Sequence, residues 1–168
     1  LIKPGHYEFL WVTDFPLFRW NDEENRLDSE HHPFTSPNPE DYHLIESEPL
    51  KVRSSGYDLV LNGYEIAGGS QRIHNSDIQH KIFELLKLTP EQIQAKFGFF
   101  IEALSYGTPP HLGIALGLDR IVMILTNTEN IRDVIAFPKT QKGSDLMMDC
   151  PAAVAVEQLN ESKVRVEE

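Results

Sequence analysis

The chain has 168 residues, 40% of them hydrophobic and including nine Phe, five Tyr and two Trp, which is enough for one folded domain with its own core. Cys150 is the only cysteine, so no disulfide framework can form within the chain, and no apolar run approaches the ~20 residues that cross a bilayer. A net charge of -11 argues against a surface that grips nucleic acid by itself, and the absence of a signal-peptide layout leads us to expect a cytoplasmic protein with no membrane association.

Residues 9–15 are an apolar, β-prone run stopped by Pro16, which predicts a strand. Residues 19–56 are rich in charge, Pro, Ser and Asn without periodicity and read as one long loop, a length that usually serves function in a folded domain. Residues 57–61 and 64–73 flank Asn62-Gly63, the signature of a hairpin with a type I′ turn. Ser76 followed by Gln79 looks like a capping box, opening a helix with Ile78, Ile82, Leu85 and Leu86 on its apolar face and an end near Leu88. Thr89-Pro90 with Gln92 starts a second helix, carried by Ile93, Phe97, Phe100, Ile101 and Leu104 until Gly107 stops it.

Residues 113–118 predict a strand with Ile114, Leu116 and Leu118 facing a core and nearly bare backbone at Gly113, Ala115 and Gly117 on the other side. A buried helix is expected from Arg120, then a short helix or turn over residues 130–134. Past Val156 the chain is polar and is expected to fray, which divides it into a domain, 1–156, and a tail, 157–168. Strands and helices in this order give an α+β fold, an antiparallel sheet backed by helices.

Four patterns carry chemistry. A two-residue turn at Asn62-Gly63 pairs Leu61 with Tyr64 and Val60 with Glu65, so Asp58, Val60 and Glu65 share one face of the hairpin. Two carboxylates on one face either point into solvent or share a hard cation, and Mg²⁺ usually takes one or two carboxylates together with water and phosphate. Arg72 lies an odd seven residues beyond Glu65, so strict alternation sends it to the other face unless a bulge at Gly68-Gly69 restores the parity. It is either a salt-bridged surface residue or a fork for a carboxylate. His31 and His32 precede Pro33 on the loop, where adjacent histidines are exposed and silent or contact a ligand. With His74, His80 and His111 they fit no common zinc spacing. Two glycines on one face of residues 113–118, with Arg120 following, mark either a tightly packed turn or a place where something flat approaches an arginine. No Gly-x-Ser-x-Gly or Ser-His-Asp arrangement supports a hydrolase.

Read together, the strings Gly-Ile-Ala-Leu-Gly-Leu-Asp-Arg at 113–120, His-His-Pro-Phe-Thr-Ser-Pro at 31–37, Asn-Gly-Tyr-Glu-Ile-Ala-Gly-Gly-Ser-Gln-Arg-Ile-His at 62–74, Tyr-Gly-Thr-Pro-Pro-His at 106–111 and Arg-Asp-Val-Ile-Ala-Phe-Pro-Lys at 132–139 resemble, in order and spacing, the bacterial-type aspartyl-tRNA synthetases of class II. The first of them resembles that family's motif 3. The resemblance implies the class II catalytic fold and an ATP-dependent activation of L-aspartate to aspartyl-adenylate, followed by transfer to tRNA. It implies ATP and Mg²⁺ as cofactors, with Glu65, Gly113, Gly117, Asp119 and Arg120 at ATP, Arg120 stacking on adenine, and Asp58 and Glu65 holding Mg²⁺. His31, His32 and Arg72 are implied to contact aspartate, the histidines on a mobile loop.

Partners implied for a full-length enzyme are tRNA and a second copy in a homodimer. We do not find in these residues the strings expected for motif 1, for motif 2 with its phosphate-binding arginine, for the Gln-Ser-Pro-Gln loop or for an anticodon domain. The expectation is therefore a C-terminal portion of the catalytic domain that alone makes no measurable aspartyl-adenylate. Two other readings fit the same residues: a non-catalytic ATP and aspartate-binding module, or a class II paralogue that activates aspartate for amidation.

Overall fold

Asn62 and Gly63 both take positive φ, 51° and 88°, which is the type I′ turn that joins β4 (Gly56–Leu61) to β5 (Tyr64–Gln71). In the computed structural model, which describes Lys3 and residues 5–166, this hairpin is the centre of a four-stranded antiparallel sheet. Its order is β1-β4-β5-β6, with β1 at Phe9–Thr13 and β6 at Leu112–Leu116. β1 is shorter than the 9–15 run because Asp14 turns to a φ of 60°. The chain divides into two compact units, Leu1–Leu118 and Asp119–Glu168. The fold is α+β, the antiparallel sheet with helices that the sequence leads one to expect.

The segment 19–56 is not a plain loop. It holds most of a second hairpin, β2 (Phe18–Asn21) with β3 (Arg26–Ser29), and two 3-10 turns, Pro39–Leu44 and Pro49–Lys51. Helical and strand periodicity fail there because the structure rests on scattered anchors. Leu17, Phe18, Leu27, Ile45 and Val52 are buried with Ile73 and with Ile82 and Leu86 from the region of α1 (Ser76–Leu85) in one hydrophobic cluster. Asn25, with a φ of 50°, closes the β2–β3 turn, and Asn21 and Asp28 bond across it at 2.7 Å.

Helix α1 is capped by Asn75, not Ser76: the Asn75 side chain accepts the N–H groups of Asp77 and Ile78. The expected capping-box partner, Gln79, is instead buried and donates Nε2 to the Pro33 carbonyl at 2.9 Å. Helix α2 (Pro90–Ser105) does open with the Thr89/Gln92 capping box, and Gly107 follows its end at a φ of 98°. Ile114 and Leu116 on β6, and Leu118 just after it, are exposed rather than core-facing.

In the second unit, α3 (Leu118–Leu125) buries only Met123 and is otherwise more exposed than an apolar run suggests. The expected turn is a 3-10 turn at Ile131–Asp133 capped by Asn130, and residues expected to fray form α4, Val156–Glu161. Buried Asp145 pairs with Lys139 and accepts the N–H groups of Met147 and Met148.

The irregular segment is fixed electrostatically at one point. Arg53 donates Nε and Nη2 to the two oxygens of Asp41 at 2.8 and 2.9 Å, and its backbone N–H also reaches Asp41. These bonds hold the Asp41 carboxyl at about 2, below its ordinary 3.8. A depressed carboxylate stabilises the fold above its ordinary value and loses that contribution as pH falls through its folded value. Thermal midpoints should therefore drop between about pH 4 and pH 2 in the wild type. Asp41→Asn should start lower at neutral pH and lose less across that window.

Candidate active site

The site begins with a register shift. Val60 faces Glu65, but Leu59 faces Ala67, so Ile66 is one extra residue in β5 and the bulge lies there, not at Gly68-Gly69 as expected. Its carbonyl is not wasted, since it accepts the Gly117 N–H at 2.8 Å. The shift sets Asp58 opposite Gly68. A Cβ at Gly68 would come 2.6 Å from Asp58 Oδ1 and 3.5 Å from Glu65 Oε1, so both carboxylates overhang the same bare backbone. Alternation beyond the bulge, through Gly68 and Ser70, brings Arg72 to that side as well.

The carboxylate pair is electrostatically uncomfortable. Partial burial pushes the Asp58 carboxyl above its ordinary value, and the charge of Glu65 pushes the same way, opposed by His31. Among the described residues no three or more His, Cys, Asp or Glu side chains gather at a metal-binding point. Two hard carboxylates over open backbone fit a magnesium ion whose remaining ligands are phosphate oxygens and water.

Arg72 sits at the other end. Its guanidinium lies against the His32 ring, and its backbone N–H donates to the His111 carbonyl at 3.0 Å. Burial, then the Arg72 charge and then His31 lower the His32 pKa, favouring a neutral ring that can accept from the guanidinium. His32, Phe34, Arg72, Phe100 and His111 line a cavity of about 370 Å³. His31 is exposed and edge-on to Phe15 at 5.2 Å. It influences Asp58 on one side and His32 on the other.

Gly113 leaves open space where a side chain would stand, and its carbonyl accepts the Tyr57 hydroxyl at 2.9 Å. Asp119 and Arg120 occupy the first turn of α3 in the second unit, both exposed. The sequence reading thus named the two carboxylates, Arg72 and both histidines. It did not give Phe34, Phe100 or His111 a part in the cavity. Phe100 was legible only as a member of an apolar helical face, and nothing in that periodicity says which aromatic ring borders a polar cleft.

An antiparallel sheet carrying these residues, with helices behind it, is the catalytic fold of the class II aminoacyl-tRNA synthetases. The family model for class II tRNA synthetases (D, K and N) matches residues 1–141, and the chain belongs to that family. It is 76% identical over 166 residues to the aspartate-tRNA(Asp/Asn) ligase of Protochlamydia amoebophila, covering 99% of this chain and 28% of that protein. The ligase of the same name from Chlamydia caviae is 64% identical over 166 residues, with the same coverage of 99% and 28%. The chain therefore spans less than a third of the length of these relatives. Among solved structures, an aspartyl-tRNA synthetase from Entamoeba histolytica superposes with a TM-score of 0.59 at 26% identity, covering 82% of this chain and 23% of that one.

A raised carboxyl pKa has a testable sign. Ionised Asp58 weakens the fold above its raised value, and the penalty disappears once pH falls below the ordinary 3.8. Asp58→Asn should therefore raise the thermal midpoint at pH 7 and leave it nearly unchanged at pH 3. A midpoint that falls at pH 7 would show that the carboxylate is well paired in the protein alone.

Proposed function

We propose that this chain forms the aspartate pocket and the metal-phosphate side of an aspartate-tRNA ligase site, which activates L-aspartate with ATP and passes it to tRNA. The observation that carries this reading is Arg72 held against the His32 ring at the wall of an open cavity of about 370 Å³. A planar guanidinium with a neutral neighbour is a fork for a carboxylate, and the side-chain carboxylate of aspartate is the group it would take. His31 stands beside both charged ends of the site and would border the amino acid. The names of the relatives agree with this substrate, as does their extension to both aspartate and asparagine tRNA.

Asp58 and Glu65 would hold Mg²⁺ on the ATP phosphates, and the ion when bound would neutralise phosphate charge. Gly113 and Gly117 would floor the nucleotide, and Asp119 and Arg120 would contact it, Arg120 by stacking on adenine. That assignment of Arg120 rests on the Gly-Leu-Asp-Arg string. The chain's own contribution is orientation: the carboxylates are set on the two strands of one hairpin and the arginine directly after it, so the amino acid and the phosphates are held with no covalent link to the protein. Transfer to tRNA and assembly as a homodimer belong to the same proposal for the full-length enzyme.

The test is ATP-pyrophosphate exchange by the Protochlamydia amoebophila ligase with its matching 166-residue segment replaced by this chain. Aspartate should be preferred over asparagine by ~10²- to 10³-fold, because asparagine leaves the half-buried guanidinium uncompensated. Arg72→Lys should erode that preference by losing the two-pronged contact. Arg120→Ala should weaken ATP use by ~0.5–2 kcal/mol of stacking without changing the preference for aspartate. Equal exchange with both amino acids in the unmutated graft would remove the aspartate assignment.

A further inference from the structure

The histidine segment is pinned where a lid would swing. Pro33 accepts the Gln79 amide at 2.9 Å, and the Phe34 carbonyl accepts the Ile73 N–H at 3.0 Å. Thr35 bridges to Arg72, and the Phe34 N–H donates to His32 Nδ1 at 3.2 Å. The most specific contact is aromatic. The Phe34 ring meets Phe100 at 4.7 Å, Phe97 at 5.2 Å and Phe83 at 6.3 Å between centroids, each edge-on. Phe83 and Phe97 are themselves stacked at 5.6 Å, and Phe83 is fully buried.

We propose that Phe34 is a positioning residue, a ring keyed into an aromatic box on α1 and α2 that fixes where His32 stands against Arg72. Edge-on ring pairs have a directional preference that simple burial lacks, so three of them define a position as well as fill a space. Phe34 is two residues from His32 and bonds its ring through the main chain, so a displaced Phe34 carries His32 with it. Helices that hold no polar group in the cavity thereby set the geometry of its arginine. The kinetic consequence rests on the aspartate reading above, whereas the placement of His32 does not.

The box can be loosened at two depths. Phe34→Leu removes the key, and Phe97→Leu removes one wall of the box with a residue that does not line the cavity. In the 168-residue chain, an imidazole titration followed by NMR should show His32 moving up toward the ordinary histidine value in both variants, as the ring leaves Arg72 and its partly buried place. In the grafted ligase the aspartate KM should rise about three- to tenfold with the ATP KM unchanged, the range expected for losing one ring pair. Neither variant should add to the aspartate KM in a His32→Ala background.

An unmoved His32 titration in both variants would overturn the proposal, as would aspartate and ATP KM values that rise together or a full additional effect without His32. If Phe34→Leu fails to fold, Phe97→Leu decides alone. Absence of aspartate-dependent exchange in the unmutated graft would count against the ligase reading, and the NMR titration would still decide the positioning role.

Discussion

One extra residue, Ile66, sets the parity on which the site depends. Without it, the side chains facing Asp58 along β5 would be Glu65, Ala67, Gly69 and Gln71, with Arg72 on the opposite side of the sheet. With it, Glu65, Gly68, Ser70 and Arg72 share the face of Asp58. A bulge leaves backbone groups unpaired, yet Ile66 is 6% exposed and its carbonyl is bonded to Gly117. Burial of such a side chain contributes about 1.5–3 kcal/mol, enough to offset the loss of one ladder bond at ~0.5–1.5 kcal/mol.

The two glycines that follow serve close approach rather than the bulge. Gly68 leaves room for the Asp58 carboxyl, while a Cβ at Gly69 would overlap the Gly113 carbonyl of β6. Each glycine faces a different neighbour, so neither can be exchanged for alanine on the grounds that the other is there. The same pair was readable in the sequence as a local irregularity, but bulge and close approach leave the same letter in the chain. Only the register between β4, β5 and β6 separates them, and register is a tertiary property.

This marks the division between what was legible and what was not. The type I′ turn at Asn62-Gly63 and the helix start at Thr89-Pro90 with Gln92 depend on residues within four positions, and both were read correctly. The Asn75 cap was missed by one residue because Ser76 and Asn75 are both good caps, and tertiary demand on Gln79 by Pro33 decided between them. The β2–β3 hairpin was unreadable because its ladder is dressed in charge: Arg26, Asp28 and Glu24 pair across the surface while Phe18 and Leu27 alone reach the core. Asp58, Glu65, Arg72 and the histidines were singled out because a charged or titratable group in a β-prone, glycine-rich or loop setting asks for a partner. Phe34 and Phe100 were not, since aromatic residues satisfy the ordinary expectation of a core.

The arrangement of charge along β5 follows from where the core lies. The hydrophobic cluster gathers Leu17, Phe18, Leu27, Ile45, Val52 and Ile73 around α1, beside the sheet. On the sheet face opposite Asp58, Phe9 and Trp11 of β1 and Ile114 and Leu116 of β6 remain 44 to 64% exposed. Within the sheet, apolar burial at Leu61, Ile66 and Ala67 therefore falls on the central hairpin that carries the site. Its geometry is imposed by the ladder, by the bulge and by loops anchored in the neighbouring core. Such a hairpin can tolerate Asp58 and Glu65 side by side across its strands and Arg72 beyond its end, because the groups that fix it are not the groups that pay for that separation of charge. On the proposed reading, a cation with its phosphates and an amino acid carboxylate are the two partners that relieve it, one at each end.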